Sequence, residues 1–98
     1  MGIVFHPIAE SDLEQIFNFI AEDSPERAIG FVRRIRACCL GLAEFPKRGR
    51  PRDDLAKDVR TLVFERRVVI AYRIESQRIV VLRVFYAGQL IDRDRFTD

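Results

Sequence analysis

The sequence predicts an α+β domain in which a helical hairpin packs on one face of a small, mainly antiparallel sheet, in the order β-α-α-β-β-β. Three observations carry this prediction. Apolar residues between positions 8 and 45 recur at three- and four-residue spacing, with one break at Asp23-Ser24. From position 59 the pattern becomes strand-like, with β-branched and aromatic residues concentrated in 59–64, 68–75 and 78–86. Between the two halves, Phe45-Pro46-Lys47-Arg48-Gly49-Arg50-Pro51-Arg52 carries two prolines and a glycine, which argue against regular structure there. A chain of 98 residues, 48% hydrophobic and 33% charged, has room for one core, so residues 1–98 are expected to form a single domain.

The elements follow in order. Ile3-Val4-Phe5-His6 reads as a first strand, ended by Pro7, which lacks a backbone donor. Residues 8–22 read as a helix whose core stripe is Ala9, Leu13, Ile16, Phe17 and Ile20, with Glu10, Asp12, Glu14 and Glu22 assigned to other faces. Ser24-Pro25-Glu26 is a helix start: Ser24 can cap free amides and Pro25 suits the first helical position. The second helix is expected to run to about Phe45, with Ala28, Phe31, Val32, Ile35, Cys39 and Leu42 inward. Residues 53–58 read as a polar connection anchored by Leu55. The three later strands form an antiparallel meander through turns at Glu65-Arg66-Arg67 and Ser76-Gln77, neither of which carries an Asn-Gly signal. Gly88 ends the last strand, and 88–98 form a charged tail with Leu90, Ile91 and Phe96 as anchors.

Composition excludes several classes. No apolar run reaches the roughly 18–20 residues of a membrane span. The start Met1-Gly2-Ile3-Val4-Phe5-His6-Pro7 lacks a signal peptide's basic and apolar regions, and His6 stands where myristoylation wants Ser or Thr. The adjacent Cys38 and Cys39 cannot staple a fold and read as small helical residues, at least one of them buried. With one histidine, no Cys/His cluster and no Gly-rich phosphate loop, neither a metal nor a cofactor is expected. A reducing cytoplasm is the expected compartment.

The net charge of +2 conceals an asymmetry. Residues 1–32 hold six acids and one Arg, whereas residues 33–98 hold sixteen basic and nine acidic residues. Fifteen of the seventeen basic residues are Arg, and Lys47, Arg48, Arg50 and Arg52 crowd the Pro/Gly loop. Arg favours planar, bidentate contact with carboxylate or phosphate, so this half is either a solvated surface or a docking surface for an anionic partner. Strict alternation in the last strand puts Ile79, Val81, Arg83 and Phe85 on one face and Val80, Leu82, Val84 and Tyr86 on the other. Both faces are mostly apolar, yet a hairpin covers only one. The other must meet the tail or a partner, or stay partly exposed. Arg83, placed in such a strand, needs an anion or access to water.

The local motifs Pro7-x-Ala9-x-x-Asp12-Leu13-x-x-Ile16, Ser24-Pro25-x-x-Ala28, Leu42-Ala43-x-x-Pro46-x-x-Gly49-Arg50 and Tyr72-Arg73 … Arg83-Val84-x-Tyr86-Ala87-Gly88 follow one another in this order. In order and spacing the chain resembles the RelE/ParE superfamily of toxin–antitoxin toxins, on the ParE-like, plasmid-stabilisation side. The resemblance implies a cytoplasmic toxin of a type II system, held in a hetero-oligomer by a cognate antitoxin and inhibiting DNA gyrase, with or without its cleaved DNA. The alternatives are a RelE-like ribosome-dependent mRNA endonuclease and a nontoxic interaction module of the same fold. Cleavage needs a base, an acid and cations, and only Arg60, Arg83 and Tyr86 offer themselves. Arg is a poor base, so the chain is expected not to be an enzyme. The expected target-facing residues are Arg50, Arg52, Arg60, Arg73, Arg83 and Tyr86. The expected antitoxin anchors are Phe31, Ile35, Val81 and Phe85.

Overall fold

The computed structural model describes residues 1–86. Its elements are β1 (Gly2–Phe5), α1 (Pro7–Ala21), α2 (Pro25–Leu40), a 3-10 turn (Gly41–Ala43), β2 (Arg50–Pro51), β3 (Val59–Phe64), β4 (Val68–Glu75) and β5 (Arg78–Tyr86). The sheet order is β1-β5-β4-β3-β2. β1 runs parallel to β5, and the remaining pairs are antiparallel. The expected tail and its anchors Leu90, Ile91 and Phe96 lie outside the described residues.

Local chemistry sets the helix boundaries. Pro7 opens α1, and His6 Nδ1 accepts the free amide of Ile8 at 3.1 Å. Ser24 caps α2 by accepting the Arg27 amide at 3.3 Å, with Pro25 as the first helical residue. The amides of Asp23 and Ser24 both close on Ile20 O, so the chain reverses in a few residues and the helices pack as a hairpin. The second helix is shorter than expected: it tightens into the 3-10 turn after Leu40, and Leu42 is buried from that turn.

The hairpin buries Ala9, Leu13, Ile16, Phe31, Ile35 and Cys39 against Val68, Ile70, Val81 and Val84. Leu42, Tyr72 and Ile79 form a second cluster beside it. Val59, Ala71 and Phe85 form a third, joined by Ala56, Val69 and Leu82. Ala71 and Tyr72 are neighbours on one strand, so this third cluster lies on the sheet face away from the hairpin. The outer face therefore has a small core of its own, while Val63 on it is 64% exposed. Leu55 is buried, as expected for the anchor of the 53–58 connection.

Three expectations are corrected. The Pro/Gly loop does hold regular structure: Arg50 and Pro51 pair with Thr61 and Arg60 at the sheet edge, where a proline is tolerated. Strict alternation in β5 fails. Ala71 faces Arg83 but Tyr72 faces Val81, so Leu82 is an extra, bulged residue and Val81 and Val84 enter the same core. Asp12, assigned to an outer face of α1, is buried at 7% exposure.

The β3–β4 turn forms without Asn-Gly. Glu65 and Arg66 sit at φ 49° and 59°, and Arg67 N donates to Phe64 O at 3.1 Å, the geometry of a two-residue mirror-image turn. L-residues pay for this conformation. Arg34 of α2 grips the Glu65 carboxylate with two bonds, at 2.8 and 3.1 Å, and so ties the turn to the hairpin.

Candidate functional site

The basic loop is fastened to the sheet by its backbone. The hydroxyl of Tyr72, buried in β4, donates to Pro46 O at 2.7 Å and accepts from Gly49 N at 2.7 Å. A Cβ on Gly49 would lie 2.6 Å from that hydroxyl and 3.0 Å from Thr61 O, so the approach requires glycine. Arg60 Nη1 donates to Gly49 O at 2.8 Å and to Lys47 O at 3.3 Å. Burial pushes the Tyr72 hydroxyl above its ordinary pKa, against the downward pull of the Gly49 hydrogen bond and the charges of Arg60 and Arg48. With its backbone held, the loop presents Lys47, Arg48 and Arg50 outward, next to a Phe45 that is 65% exposed.

The predicted target-facing residues do not converge. Arg50 is exposed on the loop, and Arg52 pairs with Asp54 at 2.9 and 3.0 Å. Arg60 is spent on positioning the loop. Arg73 donates to Lys57 O at 3.1 Å and lies 3.8 Å from Glu75. Arg83 is corrected outright. Its guanidinium holds Asp12 in a fork at 2.8 and 3.1 Å, with the pair only 16% and 8% exposed, and the same carboxylate accepts Val84 N at 2.9 Å. β1 ends at Phe5, leaving the outer edge of β5 beyond Val81 without a strand, and Asp12 takes up the edge amide there. Arg83 thus finds its anion inside the chain and is not presented to a target.

Tyr86 stands at the other end of the sheet. It aligns with Val68 and Phe64, four residues further along β3 than Arg60 and two strands away. That is about 13 Å along the strands and about 10 Å across them. Arg60, Arg83 and Tyr86, the trio a nuclease would have used, therefore do not share a site. The expected antitoxin anchors are corrected as well. Ile35 and Val81 have no exposed surface, and Phe31 and Phe85 keep 6% and 1%, because all four are core residues.

Around Tyr86 the structure builds a second feature. Tyr86 meets Phe19 edge-on at 5.9 Å and Phe31 at 5.8 Å, and Phe31 meets Phe64 at 6.4 Å. Beside this row opens a cavity of about 320 Å3, lined by Arg27, Gly30, Phe31, Arg34, Glu65 and Arg67 among others. Three residues here and at the loop escaped the sequence reading. Asp12 was legible, since it lies three residues after Ala9 and four before Ile16, on the apolar stripe itself. Tyr72 and Gly49 carried no such signal, because their partnership spans 23 residues and depends on strand register.

Among the described residues no group of three or more His, Cys, Asp and Glu could hold a metal ion, and no helix is long and apolar enough to cross a membrane. What remains is a two-helix, five-strand α+β protein whose functional surface is a cation-bearing loop fixed on a sheet edge. The family model described as "ParE toxin of type II toxin-antitoxin system, parDE" matches residues 3–91. A solved structure described as the "Chromosomal ParDE TA system from P. aeruginosa" superimposes with a TM-score of 0.77 at 26% identity, covering 90% of this chain and 97% of the other. No match was found among curated proteins. The chain belongs to the ParE toxins of type II toxin–antitoxin systems.

Proposed function

We propose that this toxin inhibits DNA gyrase by docking its clamped basic loop on the enzyme or its cleaved DNA, and that a cognate antitoxin neutralises it in the cytoplasm within a hetero-oligomer. The observation that carries the reading is the loop. Tyr72 and Arg60 fix its backbone, so the charges of Lys47, Arg48, Arg50 and Arg52 are displayed from a rigid support and little ordering is required on binding. Arg50 and Arg52 are the target contacts, while Arg60 is a positioning residue. The family match and the likeness to a ParDE system support both partners. A non-enzymatic mode is favoured because Arg60, Arg83 and Tyr86 are engaged in separate places.

The test is a pair of assays on purified protein: gyrase supercoiling with detection of cleaved DNA, and ribosome-programmed mRNA cleavage. The expected result is loss of supercoiling with accumulated cleaved DNA and intact mRNA. An Arg48→Glu/Arg50→Glu variant, folded by circular dichroism, should lose that inhibition by at least about tenfold, as expected for removing charge from a steered contact. Cut mRNA with unaffected gyrase refutes the reading.

A further inference from the structure

The cavity beside Tyr86 holds an oddity that the chain's own packing does not explain. Gly30 is the sixth residue of α2, in helix interior, where glycine is a poor choice. A Cβ at this position would meet one atom within 4 Å, Arg34 Nη1 at an ordinary 3.7 Å. Alanine would therefore fit and would strengthen the helix. Gly30 also lines the cavity, so what its bare backbone keeps open is the cavity.

The lining indicates what would enter. Arg34 is committed to Glu65. Among the described residues neither Arg27 nor Arg67, both exposed, has an ion-paired carboxylate. Arg67 reaches Glu65 only through its field, adding to the pull by which the Arg34 hydrogen bond, chiefly, holds that carboxyl below its usual range. The floor is apolar, made by Phe31 and Tyr86, and Phe19 projects near the rim at 62% exposure. Two uncommitted guanidinium groups over an aromatic floor fit a carboxylate carried next to an apolar side chain, as on one face of an acidic amphipathic segment.

We propose that the Gly30 cavity is an anchor site for an acidic–apolar pair on the antitoxin segment that folds onto this toxin, with Arg27 and Arg67 taking the carboxylate and Phe31 and Tyr86 the apolar neighbour. This rests on the proposed antitoxin partnership. It is separate from the basic loop, which lies at the other end of the sheet.

The experiment is titration calorimetry of the full chain against the full antitoxin encoded by the adjacent reading frame, for wild type, Gly30→Ala, Gly30→Gln, Arg27→Glu/Arg67→Glu and the control Arg33→Glu, an exposed α2 residue outside the cavity. Gly30→Ala should raise the thermal midpoint of the free toxin by about 2–5 °C while weakening antitoxin binding by about three- to tenfold. Gly30→Gln, which fills the cavity, and the double reversal should each weaken binding by at least about thirtyfold, and Arg33→Glu by less than about twofold. Tight binding by wild type and equally tight binding by the Gly30 and Arg27/Arg67 variants overturns the cavity assignment and leaves the antitoxin partnership standing. Failure of wild type to bind overturns both. Variants that keep antitoxin affinity but lose gyrase inhibition would assign the cavity to the target and also overturn the proposal.

Discussion

Breaking the Asp12–Arg83 pair should be far more damaging than removing it whole. Asp12 accepts three bonds, two from Arg83 and one from the Val84 amide, with its side chain 8% exposed. Asp12→Ala leaves a guanidinium that is 84% shielded without this carboxylate and strips the edge amide of its acceptor. Loss of one partner from a buried pair costs about 3–5 kcal/mol, and an orphaned amide contributes about 1 kcal/mol of that. Because Arg83 keeps some access to water, the lower end applies, at about 3 kcal/mol. Arg83→Met removes the cation but leaves Asp12 its bond to Val84, at a cost of about 2–3 kcal/mol. If the two effects were independent, the double variant would lose about 5–6 kcal/mol, a large part of the total stability of a domain this size. It should instead lose about 3 kcal/mol, giving a coupling of about 2–3 kcal/mol. Urea denaturation followed by circular dichroism reads this directly: with a slope of about 1–1.5 kcal/mol per molar, Asp12→Ala lowers the midpoint by about 2–3 M. An Asp12→Ala cost below about 1 kcal/mol, or additivity within about 0.5 kcal/mol, refutes the claim that this pair is an internal tie.

Further outcomes follow from the loop and the core. Tyr72→Phe, which deletes both bonds of the hydroxyl, should cost about 1–3 kcal/mol and raise amide exchange at Gly49 measured by mass spectrometry. Gly49→Ala should cost at least as much, since its Cβ meets the Tyr72 hydroxyl and Thr61 O together. The Tyr72 hydroxyl titrates above its ordinary value in the folded chain, so its contribution is complete below about pH 10 and is lost as pH rises through the raised pKa. The denaturation midpoint of wild type should therefore fall more steeply above pH 10 than that of Tyr72→Phe. Burial pushes Cys39 up to about 12, which leaves about one thiolate in ten thousand at pH 8. Cys38, half-buried and also raised, should react first with a thiol reagent, and Cys39 only at the rate of unfolding.

Local grammar made the scaffold legible. The caps at Ser24 and Pro25 lie where the sequence put them, and the meander strands begin and end at the expected residues, because apolar periodicity is a property of each segment alone. What depended on two distant segments was missed. The bulge at Leu82 is decided by the pairing of β4 with β5, and it reverses the facing of every later residue in the strand. The pairing of Arg50 and Pro51 depends on Tyr72 holding the loop against β3. Asp12 is the instructive intermediate case. Its spacing placed it inside, its charge argued for outside, and the resolution was Arg83, an unexplained cation 71 residues away. A buried acid on one element and a stranded base on another were each visible, and each was the other's explanation.

The same pairing changes how the arginine excess is to be understood. Composition counts guanidinium groups, but binding depends on those the fold leaves uncommitted. Arg83 is spent on Asp12, Arg60 on the loop carbonyls, Arg73 on Lys57 O, Arg34 on Glu65 and Arg36 on Glu10. These ties join α1 to β5, α2 to the β3–β4 turn and the loop to the sheet edge. Charge complementarity within the chain, between an acidic first third and a basic remainder, thus contributes to assembling the fold. The cations left over fall in two places, Lys47, Arg48 and Arg50 on the loop and Arg27 and Arg67 at the cavity, at opposite ends of the sheet. A toxin that must meet a target and an inhibitor can keep those encounters separable by this division. On that basis charge reversal at Arg48 and Arg50 should abolish inhibition while sparing antitoxin affinity, and reversal at Arg27 and Arg67 should do the converse.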